Sequence, residues 1–384
     1  MSVQPGAMNT GFSLQSRRQL LATAGNAGFG LGLLPALAAP QPAQALPRKR
    51  LDFPRDAGAH PDFQTEWWYL TGYANVANST AAFGFQVTFF RSRVPATQAM
   101  QSSLAAKQLV FAHAAVTDVR GKKLWHDQRI ARWSGAEPGR NPVDTASAST
   151  RDVAVVLHDW SLTRRGTGLV AKVRAAEFSI DLRLLASQPV LLQGDHGLSR
   201  KGPQSDQASY YYSQPHLKAQ GEIALQGKRH PLAQGSTAWL DHEWSQTVLD
   251  PQAVGWDWVG INLFDGSALT AYQLRDASGK ALWDGGSFRA GDKLFSFIRG
   301  EVFFKPIRIW RSPVSRATYP VEWLVRTPAD YYSVKAVIDN QELDSRASTG
   351  AIYWEGLCEV WDSNQQLVGR GYLEMTGYAS PLKM

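Results

Sequence analysis

The sequence predicts an all-β protein of barrel or sandwich type, and three observations predict it. Apolar residues alternate with a two-residue period through short runs bounded by Gly, Asp, Asn, Ser and Pro. Helical periodicity is scarce, and an aromatic share of 11% leans toward strands. The third observation is an internal echo. Glu66-Trp67-Trp68 with Gly72, then a turn and Phe83 to Phe89, parallels Trp256-Asp257-Trp258 with Gly260, then Asp265-Gly266 and Leu269 to Leu274. At 384 residues the chain has room for two domains, so duplicated antiparallel barrels would explain both its length and the echo.

Bulk composition narrows the function classes. Hydrophobic residues at 44% and charged residues at 19% describe a globular chain with ample core. The net charge of +7 is mild, and the only basic run is Arg48-Lys49-Arg50, so nucleic acid is not an expected partner. A single cysteine, Cys358, rules out an internal disulfide and any zinc-type cysteine cluster.

The N-terminal residues 1–45 read as an export signal. Ser16-Arg17-Arg18-Gln19-Leu20-Leu21 precedes a Gly- and Ala-rich apolar run to about Leu37, and Ala43-Gln44-Ala45 supplies a small-x-small cleavage pattern. Paired arginines before a weakly hydrophobic run look like a twin-arginine signal, which implies a folded cargo and a periplasmic or secreted location. Pro35 and the glycines argue against a spanning helix that persists after cleavage. Gly28-x-Gly30-x-Gly32 lies within this signal and is not a nucleotide loop.

In the mature chain, Thr65 to Tyr73 and Phe83 to Phe89 form a predicted hairpin around the turn residues Asn75 to Thr80. Period-two runs follow at Leu109 to Thr117, Asp152 to His158 and Phe178 to Leu184. The segment from Gly194 to Leu217 reads as a long loop, either a crossover covering a barrel end or a pocket lid with Lys201 and Tyr210 as polar contacts. A domain boundary is placed near Gln220, giving an N-terminal domain 46–220 and a C-terminal domain 221–384. Further strands are expected at Glu222 to Leu225, Val321 to Val325, Val334 to Ile338 and Ala351 to Tyr353, with the polar run Asp339 to Arg346 as a solvated turn.

The chemistry concentrates between Trp239 and Leu263. If Ala238 to Trp244 is a strand, Asp241 and Glu243 share one face while His242 and Trp244 share the other. In Trp256-Asp257-Trp258 both indoles take one face and Asp257 joins Val259 and Ile261 on the opposite one. The Gly-x-Ser-x-Gly elbow, His-Glu-x-x-His, the P-loop and the Rossmann fingerprint do not occur in the mature chain, so no metal and no cofactor are expected. What the residue types allow is acid–base work in an aromatic cavity: a carboxylic acid raised by an apolar wall protonates a C=C bond, indoles face the cation, and a carboxylate or imidazole holds water. Asp241, His242, Glu243, Trp244 and Tyr272 are the catalytic candidates, and Glu66, Trp67, Trp68, Lys201, Tyr210, Trp256 and Trp258 the substrate-binding ones. The same residues also suit a carrier that merely encloses a hydrophobic ligand.

The motifs TEWWYLTG (65–72), HGLSRKG (196–202), YYYSQPHL (210–217), WLDHEWS (239–245), GWDWVGINL (255–263), LDSRASTGAIYWEG (343–356) and GYLEMTGY (371–378) carry a resemblance. In them the sequence resembles the AttH-type predicted secreted hydrolases, relatives of carotenoid 1,2-hydratase (CrtC-like). The resemblance implies two tandem lipocalin-like antiparallel β-barrels, an apolar isoprenoid, polyene or lipid ligand, and an ABC-type exporter as partner. It also implies a catalytic role for a His-x-Trp pair, carried onto His242 and Trp244. The Tyr-x-Asp of the hydratase branch is met here by Tyr272-Gln273-Leu274, without the aspartate.

Overall fold

The computed structural model describes residues 45–247 and 249–382, so the expected export signal lies, apart from Ala45, outside the described residues. Helical structure among them is confined to two short 3-10 turns, and no helix is long and apolar enough to cross a membrane. The remainder is strand and turn, as alternation without helical periodicity requires.

The first sheet begins with β1 (Thr65–Asn75), β2 (Ala82–Arg93), β3 (Gln108–Asp118) and β4 (Lys123–Trp133). It continues with β5 (Ala146–Ala148), β6 (Ala154–Leu157), β7 (Trp160–Arg165), β8 (Gly168–Arg174) and β9 (Phe178–Leu185). It ends with β10 (Leu191–Leu192), β11 (Leu198–Arg200), β12 (Ala208–Leu225), β13 (Lys228–Pro231) and β14 (Thr237–Ser245). The strand order is β4-β3-β2-β1-β14-β12-β9-β8-β7-β6-β5, with β10, β11 and β13 paired onto β12. The sheet curls until its two ends approach: Arg129 of β4 lies over the Trp160 ring of β7 at 4.9 Å. Inward positions alternate as the period predicts, and Trp68, Leu70, Phe83, Phe85, Val87, Phe89 and Trp244 share one core.

The second sheet comprises β15 (Gly255–Leu263), β16 (Ala268–Arg275), β17 (Ala281–Ala290), β18 (Lys293–Phe297) and β19 (Phe303–Arg311). It is completed by β20 (Thr318–Arg326), β21 (Tyr331–Ala336), β22 (Glu342–Ser345), β23 (Ala351–Trp361) and β24 (Leu367–Met375). Its order is β18-β17-β16-β15-β24-β23-β21-β20-β19, with β22 on β23, around a core that includes Val259, Ile261, Trp323 and Trp354. Every pairing in both sheets is antiparallel, and the architecture is that of two tandem lipocalin-like barrels. The internal echo is real in one further respect: β1 pairs with the last strand of its sheet, and so does β15.

Three sequence expectations differ from the structure. Gln220 lies inside β12, and the chain passes between sheets only after Ser245, because β14 is needed between β1 and β12. The tyrosines 210–212 stand in β12 rather than in a loop, and part of the polar run 339–346 is strand β22. Gln341 there is fully buried, donating to the carbonyls of Ile338 and Leu357, so its polarity is satisfied by backbone rather than by solvent.

The barrels pack through their outward faces. Tyr69 and Trp239 from the first sheet meet Trp258, Tyr272, Leu274, Leu357 and Tyr372 from the second in a cluster of their own. Polar contacts stitch the seam: His113 Nδ1 lies 2.8 Å from Tyr353 Oη, Thr117 Oγ1 donates to Gln341 at 2.9 Å, and Gln193 donates to Thr270 at 3.0 Å.

Candidate active site between the barrels

A cavity opens in this seam, with an empty volume of about 740 Å³, part of it open to solvent. The first sheet lines it with Trp67, Tyr69, Thr88, Phe90, Lys201, Tyr211, Asp241 and Glu243; the second with Trp256, Trp258, Tyr272, Leu274, Glu355 and Glu374; Leu249 closes it from the connection. One side of each strand faces the cavity because side chains alternate: Asp241 and Glu243 look into it while His242 and Trp244 look the other way. Trp256 and Trp258 likewise face it, and Asp257 turns inward to Arg275 at 3.1 Å.

Asp241 is only 3% exposed. Tyr211 Oη donates to its Oδ2 at 2.7 Å, while Ser213 Oγ and Trp239 Nε1 donate to its Oδ1 at 2.5 and 2.7 Å. Trp258 Nε1 donates in turn to Tyr211 Oη at 3.2 Å. Burial pushes the Asp241 carboxyl up to about 7, against the pull of these three donors, and nearby Glu243 adds to the rise. Glu243 pairs with Lys201 Nζ at 3.1 Å, and that ammonium also lies 4.4 Å from the Tyr272 ring centre. Burial alone would lower the Lys201 ammonium; Glu243 beside it more than offsets this and holds it above its ordinary value. Tyr272 Oη donates to the Arg200 carbonyl at 2.8 Å, which fixes its ring.

Of the expected residues, the cavity therefore gathers Asp241, Glu243, Tyr272, Trp67, Lys201, Trp256 and Trp258. His242, Trp244, Glu66, Trp68 and Tyr210 instead occupy the interior of the first barrel, one strand face away. There Glu66 is fully buried, bound by Arg91 Nε at 2.8 Å, His60 Nδ1 at 2.8 Å and His242 Nε2 at 2.9 Å. Burial works against the charge of Glu66, but Arg91 and the two imidazoles hold it well below the usual carboxylate range. His242 stacks on Trp68 with ring centres 4.7 Å apart, and burial pushes its imidazole down to about 4. His60, Glu66 and His242 each bring one ligand-type atom within 4.8 Å of the others, but Arg91 already neutralises the carboxylate at their centre. Tyr210 donates to the Pro47 carbonyl at 2.5 Å, and its neighbour Tyr211 takes the cavity position.

Tyr69, Thr88, Phe90, Tyr211, Leu249, Leu274, Glu355 and Glu374 were not expected at the site. The signal for Tyr69 and Tyr211 was the alternation itself, two residues from Trp67 and one from Tyr210. Glu355 and Glu374 lie on the last two strands in sequence, which sit in the middle of the second sheet, and only the fold brings them to the cavity.

The model of the family described as AttH-like matches residues 44–378. A crystal structure of a protein assigned as AttH from Nitrosomonas europaea superposes with a TM-score of 0.79 at 43% identity, over 88% of this chain and 99% of that one. Kievitone hydratase from Nectria haematococca shares the fold, with a TM-score of 0.63 at 15% identity over 82% of this chain and 89% of its own. CghA with bound Sch210972 has a TM-score of 0.50 at 13% identity over 82% and 88% of the two chains. No curated protein sequence matches this one. With a two-barrel fold, a cavity at the seam and a family match across nearly the whole described chain, this protein belongs to the AttH-like family.

Proposed function

We propose that the protein is a hydratase-type acid catalyst, adding water to an isolated C=C bond of an apolar isoprenoid or polyene held between the barrels. The observation that supports this reading is Asp241, a buried carboxyl at the wall of an aromatic cavity, raised to about 7 and therefore partly protonated near neutral pH. In the proposed step the Asp241 proton moves to one alkene carbon, and the other carbon becomes a cation among Trp67, Trp256 and Trp258. Water forms the C–O bond to that cation and gives its surplus proton to a cavity carboxylate, Glu243 or one of Glu355 and Glu374. Exchange with solvent then restores Asp241, so the net change is substrate plus water to alcohol. Tyr211, Ser213 and Trp239 hold the carboxyl in place and stabilise the carboxylate it leaves. His242 and Trp244 act behind the strand as supports of β14 and do not touch the substrate.

One observation favours a second reading, a lipid or hydrophobic-ligand carrier working with an ABC-type exporter. Asp241 already accepts three hydrogen bonds, which is what a purely structural buried carboxyl needs. In both readings the proposed place of work is the periplasm or the exterior, reached through the twin-arginine route.

Incubation with acyclic polyenes in heavy-oxygen water, followed by mass spectrometry, separates the two. A labelled hydroxylated product made by the wild type and lost in Asp241→Asn supports the hydratase. Ligand bound but unlabelled in both proteins rejects it and leaves the carrier.

A further inference from the structure

We infer that the outward face of the β19–β20–β21 ribbon docks onto an anionic phospholipid surface. Register places its side chains in rows, interrupted in β19 by shifts between Pro306 and Arg308 and between Arg308 and Ile309. Phe303 lies opposite Arg326, and Arg326 opposite Tyr331; Lys305 faces Leu324; Arg308 faces Glu322, which faces Lys335. The alternate residues, Phe304, Trp310, Tyr319, Trp323 and Val325, turn into the core of the second barrel, so these rows look away from it. Among the described residues β19 pairs only with β20 and ends its sheet.

The face combines bulky apolar side chains with cations. Phe303, Ile307, Ile309 and Tyr331 are each about half exposed, at 48%, 53%, 52% and 50%. Arg308 is tied to Asp339 and Glu322, and Lys335 to Glu322. Among the described residues Lys305, Arg311 and Arg326 form no ion pair, although Arg326 lies 3.8 Å over the Phe303 ring. The remaining acids nearby are Glu301 and Asp330 at the ends of the ribbon and Glu359, opposite Lys335 on β23 and paired with Arg370.

Charge complementarity selects the occupant. Three uncompensated cations call for an anionic surface, and the aliphatic and aromatic side chains between them call for an apolar layer just beneath it. A nucleic acid would satisfy the cations and leave Ile307 and Ile309 in water. A headgroup layer over acyl chains answers both demands at once. The inference stands on the outer face of the second barrel and is independent of what the cavity does.

The test is sedimentation of the full chain with vesicles of equal parts phosphatidylglycerol and phosphatidylethanolamine, against vesicles of phosphatidylcholine alone. The protein should sediment with the anionic vesicles, less so as salt rises, and stay in solution with the neutral ones. Lys305→Glu, Arg311→Glu and Arg326→Glu should each weaken binding at least about fivefold. The double change Ile307→Ser with Ile309→Ser should weaken it further, with tryptophan emission unchanged as a check on the fold. Absence of sedimentation at low salt, or equal binding by wild type and these variants, overturns the inference. So does a self-associated species that the same substitutions dissolve, or retention of the ribbon by DNA in place of vesicles.

Discussion

Glu355 and Glu374 stand directly opposite one another on β23 and β24, and both face the inter-barrel cavity. Glu355 is 2% exposed, and its Oε1 has no hydrogen-bond partner among the described residues. Burial raises both carboxyls, and Glu374 beside it pushes Glu355 further, well above the usual range. Like charges at such a register position repel, so burial and this repulsion together favour the neutral form of Glu355 beside Glu374. The pair stands on the wall of the second barrel, across the seam from Asp241 on the first.

Glu355→Gln is expected to change the pH dependence of stability. A carboxyl whose folded value is raised stabilises the fold below its unfolded value, and that contribution is lost as pH rises through the folded one. The wild type should therefore weaken relative to the variant in alkaline solution, by on the order of 1 kcal/mol or more. Urea unfolding of both proteins at mildly acidic and mildly alkaline pH measures it; parallel curves would count against a raised Glu355 carboxyl.

Asp241 obeys the same sign with a defined window. Its contribution is complete below the ordinary carboxyl value of 3.8 and is lost by about pH 7, a change of roughly 4 kcal/mol at most. In Asp241→Asn this slope should disappear. Where hydration is observed, its rate in the wild type should also fall above about pH 7 as the acid deprotonates, a decline read directly from a pH–rate profile.

Glu66→Gln should destabilise the first barrel by about 3–5 kcal/mol, because Arg91, wholly buried, would lose the carboxylate it pairs with. The His242 imidazole, lowered to about 4, has the opposite sign to Asp241: its neutral form stabilises the fold above 6.5, and that is lost as pH falls toward 4. Denaturant midpoints should show the Glu66→Gln loss at neutral pH. A loss below 1 kcal/mol would mean that the network is dispensable.

Gly260 lies beneath the Trp258 indole, and a Cβ there would collide with that ring and press on Trp239. Gly260→Ala should thus displace the cavity wall at a cost of about 1–3 kcal/mol while lowering ligand affinity more than stability alone explains. Quenching of tryptophan emission by a bound polyene, compared between the two proteins, tests this. Unchanged affinity would show that Trp258 does not shape the bound state.

The fold and half of the site were legible in the sequence for one reason: strand alternation is a local rule. It separated Asp241 and Glu243 from His242 and Trp244, and Trp256 and Trp258 from Asp257, and the structure keeps both separations. Alternation does not say which face looks into a barrel and which into the seam. Glu66, Trp68 and Tyr210 were therefore grouped with the cavity, although their face of the sheet closes over the first core. Glu355 and Glu374 were beyond reach because they come to the cavity by long-range pairing. Nothing local in YWEG or YLEM marks either glutamate as different from a solvated one.

The strand that completes each barrel also delivers its acids. β14 pairs with β1 to join Thr65 to Ser245 and carries Asp241 and Glu243; β24 pairs with β15 and carries Glu374. These pairings span nearly the whole length of each half, so loop-closure entropy makes them late events in folding. A nascent or half-folded chain consequently has two open sheet edges and no assembled cavity. The inter-barrel cavity is complete only when the last strands dock, and until then the exposed edges of β1 and β15 are the places where the chain is most prone to pair with another copy of itself.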